Sequence, residues 1–147
     1  MNSATNGANT NPKLPSKNIL LVEDNPADIR LIKEVLKEEK TKNNLNTVFD
    51  GIDALEYLHE HCEPINGHYP NLIILDLNLP KMNGFEVLEE IKNDKKLQEI
   101  PVVVFTTSSN REDGLKCYNM DAYAYIPKPV DYEGFVQVIK KINKLLE

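Results

Sequence analysis

The stretch "NLIILDLNLPKMNGFEVL" (71–88) decides the fold. Four apolar residues, Leu72 to Leu75, run without a polar break into a carboxylate, Asp76. A strand wetted on one face alternates polar and apolar residues; an unbroken apolar run is expected where both faces are covered, as in a parallel sheet. Pro80 and Gly84 follow closely and turn the chain sharply into a helical pattern, "GFEVLEEIKND" (84–94). Gly84 is where a crowded or left-handed backbone is tolerated.

The same unit recurs along the chain. "KNILLVED" (17–24) is a buried strand ending in acids, and "NPADIRLIKEVLKEEK" (25–40) is a helix. In that helix Asn25 is the N-cap, Pro26 takes the first helical position and Asp28 sits near the positive end of the dipole. Ile29, Ile32, Val35 and Leu36 make its apolar stripe. A strand follows at 45–50, a helix at 51–61 and a loop at 62–70, before the strand at 71–76. Beyond the helix at 84–94 come a strand at 100–107, a helix at 109–119, a strand at 122–127 and a helix at 131–147. Ser109 and Glu112 have capping-box spacing. The last helix carries the stripe Phe135, Val138, Ile139, Ile142, Leu145 and Leu146. Five strands alternating with five helices predict a doubly wound parallel sheet covered on both faces. Residues 1–16, rich in Asn, Thr, Ala and Pro, read as a disordered tail before one domain at 17–147.

The 147 residues suffice for one domain with a core, and 41% hydrophobic with 27% charged residues is ordinary for a globular chain. A net charge of -6 argues against broad binding to nucleic acid or anionic membranes. No run has the length of a membrane span, and the N-terminus has no apolar signal core. Cys62 and Cys117 form no metal or redox motif, so free thiols in a reducing cytoplasm are expected. "HEHC" (59–62) with His68 invites zinc. His59 and His61 lie two apart and do not share a helix face, so a solvated helix end is expected instead.

Doubly wound sheets build their sites at the carboxyl ends of the strands. Those ends carry Glu23 and Asp24, Asp76, Thr106 and Thr107, and Lys128. Close carboxylates resist ionising together unless a cation joins them, and oxygen ligands suit magnesium. The backbone carbonyl of Asn78 is a further candidate ligand. A carboxylate, a hard cation, a lysine and a hydroxyl on one rim suit phosphoryl transfer, with Asp76 as nucleophile and Glu23 and Asp24 as metal ligands.

On "LLVEDN", "DGIDAL", "LIILDLNLPKMNGFEVL", "PVVVFTT" and "AYIPKP", in order and at compatible spacing, the chain resembles the receiver domain of two-component response regulators over about residues 17–147. The resemblance implies a flavodoxin-like fold with strand order 2-1-3-4-5. It implies Asp76 as phosphoacceptor. It further implies magnesium held by Asp24, Asp76 and the carbonyl of Asn78, with Glu23 acting through a water. On the same resemblance Thr106 is expected to be the switch hydroxyl, Lys128 the lysine that pairs with the phosphoryl group, and Tyr125 the aromatic switch that turns inward when Thr106 moves. Ser108 and Asn78 take the positions that tune acyl-phosphate lifetime, and Lys128–Pro129 is expected to be cis. Asn83 stands before Gly84 where aspartate is frequent. The long loop after the second helix, "LDLNLPK" and "PVVVFTTS" add a resemblance to the single-domain regulators partnered with bacterial phytochromes. No output domain follows in the sequence, so the expected output is protein contact, through the fourth helix, fifth strand and fifth helix, to a partner or a second copy. Tyr123, Tyr125, Tyr132 and Phe135 read mainly as core, with an interface role for exposed aromatics kept open.

Two other functions compete. An aspartate-nucleophile phosphatase of the dehalogenase type also uses a strand-end aspartate, magnesium, threonine and lysine. It needs a second aspartate two residues on as proton donor, and Asn78 cannot take that role. A phosphate- or flavin-binding module needs a glycine-rich loop after the first strand, where "EDNPAD" is acidic and has no glycine.

Overall fold

The computed structural model describes residues 17–39, 43–61 and 69–146. The tail at 1–16 and most of the 62–70 loop, including Cys62 and His68, lie outside the described residues. The elements, in order, are β1 (Lys17–Val22), α1 (Pro26–Lys37), β2 (Asn43–Val48), α2 (Gly51–Glu60), β3 (Leu72–Leu75), α3 (Gly84–Asn93), β4 (Val102–Thr106), α4 (Arg111–Asn119), β5 (Ala124–Pro127) and α5 (Tyr132–Lys144). The strands form one parallel sheet, β2-β1-β3-β4-β5.

β3 explains its own composition. Ile73 and Leu75 face one core with Leu20, Val22, Val102 and Val104, beneath α2, α3 and α4. Leu72 and Ile74 face the other, with Ile19, Leu21, Val103 and Phe105, against α1 and α5. Each side chain of β3 is buried, so neither face has a use for a polar residue. Each such side chain, fully buried, contributes about 1.5–3 kcal/mol relative to exposure.

Helix α1 starts as its sequence indicates. Asn25 accepts from the N–H groups of Ala27 and Asp28, Pro26 opens the helix, and Ile29, Ile32, Val35 and Leu36 are buried. Elsewhere the boundaries shift. β2 runs from 43 to 48 rather than 45 to 50, because it pairs with β1 from Lys17↔Asn43 onward and Asp50 leaves the ladder to cap α2. β5 starts at Ala124 rather than 122, where pairing with Val103 begins. The N-cap of α4 is Asn110, not Ser109, since its side chain accepts from Glu112 N–H. The capping box belongs instead to α3, between Asn83 and Glu86. This gives Asn83 a role before Gly84 that aspartate would also fill. In α5 Leu145 is not part of the buried stripe: it is the C-cap, 43% exposed, and Ile142 and Leu146 take the inward positions. Phe135 is core, but Tyr123 and Tyr132 are exposed, because both stand where the chain enters an element rather than on its inward face.

His59 Nε2 lies 3.5 Å from Asp94 Oδ2, and His61 Nδ1 lies 3.0 Å from the Tyr57 carbonyl, with its ring stacked on Tyr57. Cys117 is a buried free thiol. Among the described residues no helix is long and apolar enough to cross a membrane.

Candidate functional site

Sheet register builds the site. Val22 pairs with Leu75, so the next residues, Glu23 and Asp76, emerge side by side between the two strands at the centre of the sheet. Asp76 N–H donates to the Val22 carbonyl (3.1 Å) and Glu23 N–H to the Val48 carbonyl (3.0 Å), so both are still held by the ladder. On the other side, Lys128 N–H donates to the Thr106 carbonyl (2.6 Å). Four strands thus deliver Glu23, Asp76, Thr106 and Lys128 to one rim.

Glu23, Asp76 and Thr106 are buried, while Asp24 is exposed. Glu23, Asp24 and Asp76 each offer a carboxylate oxygen, all within 4.8 Å of one another. Three hard oxygens so close, one at the solvent edge, fit a divalent cation such as magnesium. The behaviour of Glu23 agrees: burial pushes its carboxyl up to about 7, the charge of Asp76 adds to this, and contacts with Lys128 and Asn25 only partly oppose it. A carboxylate held that near neutrality has room for more positive charge than Lys128 supplies.

Lys128 is the present counter-charge. Its ammonium lies 2.6 Å from Glu23 Oε1, 2.8 Å from Asp28 Oδ2 and 3.4 Å from Asp76 Oδ2, and its side chain is 5% exposed. Burial works against that charge, but hydrogen bonds to Asp28 and Glu23 outweigh it and hold the ammonium above its ordinary value. Sequence reasoning placed Asp28 only at the helix dipole. Its membership of the site depends on α1 lying against the end of β5, a contact across 100 residues that no local pattern encodes.

The turn after β3 is tightly built. Gly84 N–H donates to the Leu77 carbonyl (3.0 Å), and Asn78 N–H reaches Asp76 Oδ1 (3.2 Å). The exposed Asn78 side chain donates to Thr107 Oγ1 (3.3 Å), bridging the β3–α3 and β4–α4 turns. Asp50, the cap of α2, pairs with Lys81, a left-handed residue of the same turn (φ 66).

Ser108 joins three elements. Its N–H points to Thr106 Oγ1 (3.4 Å), its hydroxyl donates to Asp113 of α4 (2.6 Å), and its carbonyl accepts from the Tyr125 hydroxyl (2.5 Å). Tyr125 is half-buried, with its ring against Gly114. The Lys128–Pro129 peptide is trans, not cis. Proline lowers the cost of a cis bond without requiring one.

The response regulator receiver domain family matches residues 19–140, and this chain belongs to that family. It is a response regulator of two-component signalling, and its sheet order is that of response regulator structures. Among curated proteins it is 44% identical over 129 residues to the response regulator Rcp1 of Synechocystis sp., covering 88% of each chain. It resembles the phosphorylated cyanobacterial phytochrome response regulator RcpA (45% identical, TM-score 0.83, 89% of this chain and 94% of that one). It also resembles the Mn2+-bound form of Rcp1 (42% identical, TM-score 0.82, 88% of this chain and 94% of that one).

Proposed function

We propose that Asp76 is the phosphoacceptor, taking its phosphoryl group from a histidine of a phytochrome-type sensor kinase. The observation that carries this is the convergence of Glu23, Asp76 and the Lys128 ammonium at the sheet's central rim. An Asp76 carboxylate oxygen forms the new bond to phosphorus. The bond from phosphorus to the histidine nitrogen breaks, and its electron pair stays on that nitrogen, which regains a proton. Glu23, Asp24, Asp76 and the Asn78 carbonyl are the groups that would hold magnesium. Bound there, the ion supplies charge neutralisation of phosphoryl oxygens. Lys128 adds a compact positive charge and Thr106 a hydroxyl donor.

The output is a changed contact surface. A phosphoryl group adds close to -2 charge and draws Thr106 and Lys128 toward it. Ser108 passes that change to α4 and Tyr125. The exposed Leu115, Tyr118 and Tyr123 line one groove beside α4 and β5, and a partner or second copy docks on this side. The likeness to RcpA supports the phytochrome-type partner, and the likeness to manganese-bound Rcp1 supports a divalent ion. On this reading the chain turns over no external substrate, works in the cytoplasm, and carries its function in residues 17–147, with 1–16 as a tail.

The test is incubation with magnesium and acetyl phosphate, read by intact mass. One phosphate should add to the parent and none to Asp76→Asn. Equal labelling of the variant overturns the assignment.

A further inference from the structure

Asp28 belongs to a closed set of contacts. Glu23 Oε2 accepts from Asn25 N–H (3.1 Å), and Asn25 Oδ1 accepts from the N–H groups of Ala27 (2.9 Å) and Asp28 (3.1 Å). The cap that starts α1 thus fixes Asp28 where its carboxylate meets the Lys128 ammonium at 2.8 Å. An ammonium has three donors. Glu23, Asp28 and Asp76 occupy all three, and the one toward Asp76 is the longest, at 3.4 Å.

A phosphoryl group on Asp76 draws the ammonium closer than its present 3.4 Å, and that movement stretches one of the two shorter contacts. Glu23 is the poor candidate to loosen, being buried and held at 2.6 Å. The Asp28 side chain is 21% exposed, so water replaces the lysine there at little cost. We propose that Asp28 is a positioning residue for phosphoryl uptake: it holds Lys128 toward the start of α1 in the unphosphorylated chain and gives it up as charge builds on Asp76. This rests on Asp76 being the acceptor. Asp28 touches no reacting atom and acts only through Lys128.

The experiment measures the rate of acetyl phosphate labelling, at saturating donor and magnesium, for the parent, Asp28→Asn and Asp28→Glu. Without the competing charge, Asp28→Asn is labelled roughly fivefold faster, the scale of one charge-assisted hydrogen bond over a neutral one. Asp28→Glu restores the parent rate. Salt screens such sheltered charges poorly, so the discriminating background is Lys128→Gln: there Asp28→Asn adds no gain if Asp28 acts only through Lys128, whereas a through-space effect of the lost charge survives. An unchanged or slower rate in the parent background, or a gain that persists with Lys128→Gln, overturns the proposal while leaving Asp76 as acceptor. An unlabelled parent overturns both.

Discussion

Gly84 stands against the backbone of Asp76: a methyl group on its α-carbon would overlap the Asp76 carbonyl oxygen and fall 2.6 Å from the Leu77 Cα. The first residue of α3 thus packs on the strand end that carries Asp76, and neither backbone can yield without moving the other.

Gly84→Ala should therefore lose stability and site geometry together. Overpacking of this kind costs about 1–3 kcal/mol. Chemical denaturation should show that loss, and calorimetric titration should show weaker magnesium binding by the same variant. Parent-like magnesium affinity in a destabilised Gly84→Ala would mean that the turn after β3 does not position Asp76.

Glu23 gives a pH dependence with a definite sign. Its carboxyl ordinarily titrates near 4.5 and is pushed by burial up to about 7 in the metal-free chain. The folded value lies above the unfolded one, so its contribution to stability is full below about 4.5 and is lost as pH rises through about 7. If Glu23 belongs to the proposed metal set, magnesium has to displace the same proton. Apparent affinity should rise by up to about tenfold per pH unit below that value and level off above it. Titration calorimetry at pH 6, 7 and 8 measures this, and Glu23→Gln should flatten the profile. An affinity that is level across that range in the parent would count against Glu23 as part of the metal set.

Cys117 should be inert while the chain is folded. Burial pushes its thiol up to about 11, with Asp113 adding to the shift. In a Cys62→Ser background, a disulfide-exchange reagent at pH 8 should react only as fast as the protein opens, and promptly in denaturant. Fast reaction without denaturant would show that α4 leaves the sheet easily.

Much of this molecule is legible in its sequence, for physical reasons that also mark the limits. The apolar run Leu72–Leu75 announces a strand covered on both faces, and Asn25-Pro26 announces the start of α1, because each is a local requirement of the backbone. The strand-end acids, Thr106 and Lys128 are legible because parallel topology sends consecutive strand ends to one rim. Asp28 does lie in the first turn of α1, as its sequence indicates, but its contact with Lys128 is not legible there, since that partner lies 100 residues away. Ser109 was mistaken for a cap because Ser108, Ser109 and Asn110 are all able cap residues, and only the course of the β4–α4 turn selects Asn110. Tyr123 and Tyr132 looked like core by composition, yet an aromatic at the entrance to an element has no inward face.

Helix α4 buries one residue of its nine, Cys117, whereas α1, α3 and α5 each bury four. Little apolar surface anchors it, and Ser108–Asp113 is its polar tether to the reacting rim. With so few buried contacts, its outward amides should exchange with solvent deuterium sooner than those of α1, α3 or α5, while Cys117 stays covered. The sheet is thus the stiffer part of the molecule and α4 the more lightly anchored one, joined to the strand ends through Ser108.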